Sequence, residues 1–133
     1  MTEKIRIEDL PVSREFLRQR RIIEPRGELA LIEDGLSFRH LGYFSLRQGE
    51  GLFRGGHYHL KKEEYFYVVS GKIRVQLVDL ETREHSETTV KEGQRVTLFP
   101  NCAHRFQAEQ DAQVIEYYDA IYDPEDDFPY RDF

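Results

Sequence analysis

GLFRGGHYHLKKEEYFYVVSG, residues 51–71, holds two imidazoles two positions apart, a carboxylate after four more residues, and a glycine at each end. In an extended strand successive side chains alternate between faces, so His57 and His59 point the same way, about 6–7 Å apart along the chain. Glu64, Phe66 and Val68 likewise share one face, and Tyr65, Tyr67 and Val69 the other. A carboxylate in phase with Phe and Val lies on the apolar face, where its charge is costly unless it is paired or bound to a cation. Glu63 falls on the opposite, solvated face.

Further along, GQRVTLFPNCAHRFQA, residues 93–108, places a glycine, a short strand and a turn ahead of His104. Asn101 suits such a turn because Asn tolerates the left-handed conformation. Short apolar or alternating runs surround both stretches: GELALIEDG from Gly27, FRHLGYFSL, KIRVQLVDL, SETTVKEG and QVIEYYDAIY. Turn residues at Ser70-Gly71, Glu81 to Glu84 and Glu92-Gly93 separate them. Roughly eight to ten strands in about a hundred residues, with no helix-length pattern between them, predict an all-β antiparallel sandwich or barrel. The single helical signal is Ser13 ahead of REFLRQRR, which predicts a short helix from Ser13 to about Arg20. The domain reading is an N-terminal segment 1–26 carrying that helix, a barrel over 27–122, and an acidic, aromatic C-terminal arm over 123–133, laid across a surface.

The first stretch resembles the first motif of the cupin superfamily at every fixed position: Gly51, His57, His59, Glu64 and Gly71. The second stretch is similar to the second cupin motif at Gly93 and His104, with Phe99, Asn101 and Ala108 where the pattern has Pro, Gly and Asn. The resemblance spans about Gly27 to Ile121 and implies a single antiparallel jelly-roll β-barrel. It also implies that His57, His59, Glu64 and His104 are metal ligands inside it. Three imidazoles and one carboxylate suit one borderline divalent ion, with Zn, Fe, Mn, Ni and Cu all open. The alternative for the two motif histidines is a polar lining without metal.

Other residues carry weaker signals. His40 reads as an ordinary half-buried histidine, His85 as solvent-facing in a polar turn, and Cys102 as a small buried hydrophobe. Arg54, Arg74 and Arg105 are candidates to gather at the barrel mouth for an anionic substrate. Alternation through Val114, Glu116 and Tyr118 against Ile115, Tyr117 and Asp119 puts one of Tyr117 and Tyr118 inside, and Tyr117 is assigned as the inward phenol that moves a proton.

Composition excludes whole classes. The 133 residues make one domain the default, and Lys+Arg 19 against Asp+Glu 25 gives a net charge of −6, the wrong sign for holding nucleic acid by bulk charge. A single cysteine makes no internal disulfide and fits a reducing cytoplasm, and the charged N-terminus MTEKIRIEDL is unlike a signal peptide. Apolar runs fall far short of the roughly 20 residues of a membrane helix. A homodimer is expected, with the segment from Ile5 to Leu10 pairing with the partner's sheet.

Fold alone leaves function open. The RGEL segment (Arg26 to Leu29) and the acidic tail resemble the dTDP-4-keto-6-deoxyhexose 3,4-ketoisomerases, and the first motif resembles capsular-polysaccharide UDP-sugar C-3 epimerases. Those ketoisomerases commonly carry Gln where this chain has Glu64 and need no metal, so the carboxylate brings this chain nearer the metal-retaining epimerases. The resemblance implies a small-molecule enzyme that isomerises or epimerises a nucleotide-linked 4-keto sugar through metal-assisted enolisation, with Tyr117 and His104 as catalytic residues. A metal-dependent dioxygenase and a non-enzymic ligand-binding barrel are the alternatives.

Overall fold

In a computed structural model, which describes residues 3–133, the strand-like runs of the sequence become ten strands. They are β1 (Ile5–Asp9), β2 (Arg20–Glu24), β3 (Gly27–Leu31), β4 (His40–Leu46), β5 (Phe53–Tyr58), β6 (Glu64–Asp79), β7 (His85–Lys91), β8 (Gln94–Leu98), β9 (Cys102–Tyr118) and β10 (Phe128–Pro129). The backbone of the fold is a long antiparallel ribbon of β6 and β9, in register from Tyr65 opposite Tyr117 to Asp79 opposite Cys102.

The ribbon bends in its middle, where the register shifts between Val68 and Ile73. On one side of the bend β8 pairs with Glu64–Tyr67, β1 extends the sheet beyond β8, and β4 pairs with the second half of β9. On the other side β7 pairs with the second half of β6, while β5 and then β10 extend from the first half of β9. Gly71 sits at the bend with φ +90°, and a Cβ there would overlap the Asp111 carbonyl and lie 2.6 Å from the Ala112 Cα. The last glycine of the first motif therefore sits where the facing backbone leaves no room for a Cβ, a place that favours a residue without a side chain.

The two halves fold over and meet through side chains. Phe44 and Phe66 of one half pack on Phe106 of the other, with ring centroids 6.2 and 5.3 Å apart. Val68, Val75, Val96 and Val114 fill the remaining space and are almost completely buried. These side chains hold the faces about 10 Å apart, far beyond the spacing of about 4.8 Å of a hydrogen-bonded strand pair. The expected barrel is consequently not closed: the sheet runs β1-β8-β6-β9-β5-β10, and its two ends do not pair with each other.

The N-terminal segment corrects one expectation. No helix forms from Ser13 to Arg20, where the chain makes bends before β2 begins. The Ser13 hydroxyl accepts one bond from the Glu15 amide, and Phe16, 91% exposed, finds no surface to cover. A helix this short with two adjacent apolar residues lacks the packing that would stabilise it. The segment from Ile5 forms β1, antiparallel to β8 of its own chain with Ile5 opposite Leu98, and β1 is the end strand of the sheet. β2 and β3 form a separate hairpin, held by an ion pair of Arg21 with Glu28. Among the described residues no helix is long and apolar enough to cross a membrane.

Replacing Gly71 by Ala adds backbone strain and a backbone overlap at once, and is expected to cost of the order of 3 kcal/mol or more. Urea unfolding followed by circular dichroism measures this. A loss below about 1 kcal/mol would show that the bend does not need the bare backbone.

Candidate metal centre

The folded-over ribbon brings the two motifs together. His57 lies near the end of β5 directly opposite His104 of β9, with a register shift just before it that re-aims the strand. His59 follows β5, and Glu64 is the first residue of β6, in the other half. One donor atom from each of His57, His59, Glu64 and His104 lies within 4.8 Å of all the others. His59, Glu64 and His104 are 4%, 5% and 2% exposed, whereas His57 is partly open.

The outer nitrogens of the three rings are all held. His59 Nδ1 lies 2.5 Å from the Asp126 carbonyl oxygen and His104 Nδ1 3.1 Å from that of Cys102. A carbonyl only accepts, so both nitrogens carry the proton and donate it. His57 Nδ1 is 3.1 Å from Asp127 Oδ1, a partner of the same kind. In the neutral rings the lone pairs are therefore on Nε2. His59 Nε2 and His104 Nε2 lie 3.0 and 3.3 Å from the same oxygen, Glu64 Oε1, yet none of these three buried atoms makes a hydrogen bond. Three acceptors at this separation repel unless something positive lies between them, either extra protons or a cation. The donor set fits a divalent ion, and ring orientation through the far nitrogen is how ligating histidines are held.

Electrostatics follow from the same contacts. Burial first, then the neighbouring His104 and His59, push His57 down to about 4. Burial also disfavours charge on His59, but the Glu64 carboxylate outweighs it and holds this imidazole above its usual value. For Glu64 burial favours the neutral acid, and the two facing imidazoles reverse this and hold it well below the carboxylate range. The fourth neighbour is Lys62, whose ammonium is 3.8 Å from Glu64 Oε2 and 4.0 Å above the Tyr118 ring.

The tail supplies what sequence reasoning missed. A 3-10 turn, Pro124–Asp126, brings the Asp126 carboxylate against the turn after His59, where it accepts from the amides of Leu60, Lys61 and Lys62. With its carbonyl on His59 and Asp127 on His57, the arm is the outer shell of the cluster. Pro124 within an acidic run, an N-terminal turn signal with Asp123 as cap, was the available hint.

The other candidates divide by face. Tyr117 is buried, but its hydroxyl bonds Glu33 at 2.9 Å and its ring stacks on Tyr65, on the face of the ribbon opposite Glu64. Tyr118, in phase with Glu116 and Val114, is the inward phenol, and this corrects the sequence assignment. The phenol of Tyr118 is pushed up to about 12, chiefly by burial, and stays protonated. Arg54, opposite Phe106, shares the interior face, with its guanidinium 5.4 Å over Phe44. Arg74 and Arg105 point outward to Gln107 and Gln76, so the three arginines do not gather. Burial lifts the Cys102 thiol to about 12, which removes it as a nucleophile, and His85 is exposed on β7. His40 is half-buried, 3.8 Å from Glu116.

Residues 25–129 match the family described as polysaccharide biosynthesis C-terminal domain. No curated protein matches the chain in sequence. A sugar 3,4-ketoisomerase from Thermoanaerobacterium thermosaccharolyticum, solved in complex with TDP, superposes with TM-score 0.78 at 15% identity, covering 100% of this chain and 93% of that one. The TDP-quinovose 3,4-ketoisomerase of Campylobacter jejuni gives 0.73 at 16% identity, covering 96% and 94%. The dTDP-4-dehydrorhamnose 3,5-epimerase of Bacillus anthracis, with TDP and PPi bound, gives 0.68 at 17%, covering 84% and 75%. At these identities the likeness is one of fold.

An imidazole held at about 4 in the fold and near 6.5 in the unfolded chain leaves a pH window in which only the unfolded chain binds the proton. His57 therefore removes stability as the pH falls through that window. In metal-free protein, His57→Gln is expected to gain melting temperature relative to wild type as the pH is lowered from 6.5 to 4. Parallel profiles from scanning calorimetry would mean that His57 is not held neutral.

Proposed function

The chain belongs to the family described as polysaccharide biosynthesis C-terminal domain, and from that premise we propose that it isomerises or epimerises a nucleotide-linked 4-keto sugar by enolisation. In this reading one divalent ion, Zn, Fe, Mn, Ni or Cu, is held by His57, His59, Glu64 and His104. The observation that carries it is the convergence of His59 Nε2 and His104 Nε2 on one buried oxygen, Glu64 Oε1, at 3.0 and 3.3 Å, with a His57 donor atom within 4.8 Å of them. Solved proteins of the same fold bind TDP and act on TDP-linked sugars, which supports the substrate class.

A carbon acid beside a ketone is too weak to ionise in water at useful rates, so the site must stabilise the enolate as it forms. A bound divalent ion supplies Lewis acidity at the ketone oxygen. The chain's own residues do the rest. His57, the most open of the four, leaves the interior accessible to substrate from its side. Arg54, on the same interior face, is a cation for the diphosphate of the nucleotide. Asp126 and Asp127 keep the rings oriented, and the aromatic lining of Phe44 and Phe66 limits the water around the enolate.

The lone buried Cys102 fits a reducing cytoplasm, where nucleotide sugars are made. Leu41 and Tyr43, 65% and 60% exposed on the outer face of β4, support a homodimer that covers this surface. Light scattering at micromolar concentration is expected to give twice the chain mass, and a monomer would remove the dimer from the reading.

The enzymatic reading has a direct test. Metal-loaded protein is expected to hold about one ion per chain and to exchange deuterium from heavy water into a TDP- or UDP-linked 4-keto sugar at a carbon beside the ketone. His59→Ala should keep the fold and lose both the stoichiometric metal and the exchange. Unchanged metal content in that variant would refute the ligand set, and no exchange by loaded wild type on any such sugar would refute the reaction.

A further inference from the structure

A second polar cluster lies on the same interior face, beside the ligands. Glu116 of β9 stands between Phe66 of β6 and Gly42 of β4, directly opposite both. Two positions on, Tyr118 lies across from Glu64 by the same register, so Glu116 is diagonal to the ligand carboxylate on one face. His40 of β4 lies opposite Tyr118, its ring flat on the phenol at 4.1 Å and 6°, and its Nε2 is 3.8 Å from Glu116 Oε2. That nitrogen is buried and makes no hydrogen bond, while both side chains keep about 30% exposure and so are not sealed in the core.

Gly42 points to the same place. It sits inside β4 with ordinary strand backbone, where glycine weakens pairing and any side chain would pack better. A Cβ there would lie 3.0 Å from the Glu116 Cγ and 3.3 Å from one of its oxygens. The strand gives up a side chain at the position where one would crowd the Glu116 carboxylate.

We propose that Glu116, oriented by His40, is the catalytic base of this chain, the carboxylate that takes the proton from the sugar carbon beside the ketone. The inference rests on the keto-sugar reading above. In the step the C–H bond breaks, its proton goes to a Glu116 oxygen, and its electron pair forms a C=C bond while the ketone oxygen takes the negative charge. In the reverse direction Glu116 returns the proton to carbon and the ketone re-forms, with no oxidant or reductant consumed. The groups facing Glu116 are His40 from β4, Arg54 from β5, Glu64 at the start of β6 and Lys62 before it. Burial and the Glu64 charge together outweigh the three bases and hold the Glu116 carboxyl above its ordinary range, closer to the pH at which a base works best. His40 touches Glu116 and Tyr118 and acts as a positioning residue.

The test uses full-length, metal-loaded protein with a TDP-linked 4-keto-6-deoxyhexose in heavy water, read by NMR at the carbons beside the ketone. Glu116→Gln is expected to lose at least about 10²-fold in exchange rate, the scale of a general base, with metal content and TDP affinity unchanged. His40→Phe, which keeps a ring on Tyr118, should lose about 10-fold and shift the acid limb of the rate profile, a change that a purely packing role would not produce. Should Glu116→Gln fail to fold, Gly42→Ala carries the test, because it displaces the carboxylate without removing it, and a rate loss of about 10-fold at unchanged metal content is expected. Exchange by Glu116→Gln within about threefold of wild type would overturn the assignment and leave the keto-sugar reading intact. So would an unchanged rate in Gly42→Ala where Glu116→Gln does not fold. No exchange by loaded wild type would overturn the keto-sugar reading, and this assignment with it.

Discussion

A carboxylate buried opposite two imidazoles organises this molecule. Glu64 opens β6 in one half of the sheet, and its Oε1 lies 3.0 Å from His59 and 3.3 Å from His104, which belong to the other half. Charge in such a position is costly unless a partner of opposite charge accompanies it. The bend at Gly71 folds the β6–β9 ribbon so that these groups meet, and the packed rings of Phe44, Phe66 and Phe106, the first and last stacked and Phe66 edge-on, lie between the halves. The cluster sits where the two halves face each other, so its geometry depends on the whole fold rather than on one loop.

The C-terminal arm turns that meeting into an oriented site. Asp126 contributes its carbonyl to His59 and its carboxylate to three successive amides after it, and Asp127 reaches His57. Each imidazole thereby keeps its outer proton and turns its other nitrogen inward, the arrangement that raises ligand basicity and fixes the ring. The arm lies more than sixty residues from the histidines it holds, a coupling that exists only after β10 has paired with β5.

One strand serves two purposes on its two faces. On the inner face of β9, Glu116 and Tyr118 continue the polar lining away from the ligands. On the outer face Tyr117 bonds Glu33, and Glu33 is also held by Arg95 at 3.0 Å and Gln19 at 2.8 Å, a network that ties the segment after β3 to the sheet. The two tyrosines are neighbours in sequence and differ entirely in role, because strand alternation sends them to opposite sides.

Strand spacing and the turn residues were sufficient to establish an all-β antiparallel fold, since alternation and spacing are local properties, while the set His57, His59, Glu64 and His104, whose donor atoms the fold brings together, came from the cupin resemblance of the two histidine-bearing stretches. Local pattern also put Glu64 on the apolar face in phase with Phe66 and Val68, as the fold bears out. The short helix at Ser13 failed because a cap and two apolar residues do not stabilise a turn that nothing packs against. Alternation divided Tyr117 from Tyr118 but could not say which faced inward, because that depends on the register with β6, set across some fifty residues of chain. The open sheet edge, the home pairing of β1, the clamp from Asp126 and Asp127, and the meeting of His40 with Glu116 through Gly42 were likewise decided by tertiary structure alone. Each is a contact between segments remote in sequence, formed only when the ribbon folds over, and no periodicity in a single chain encodes which remote residues will meet.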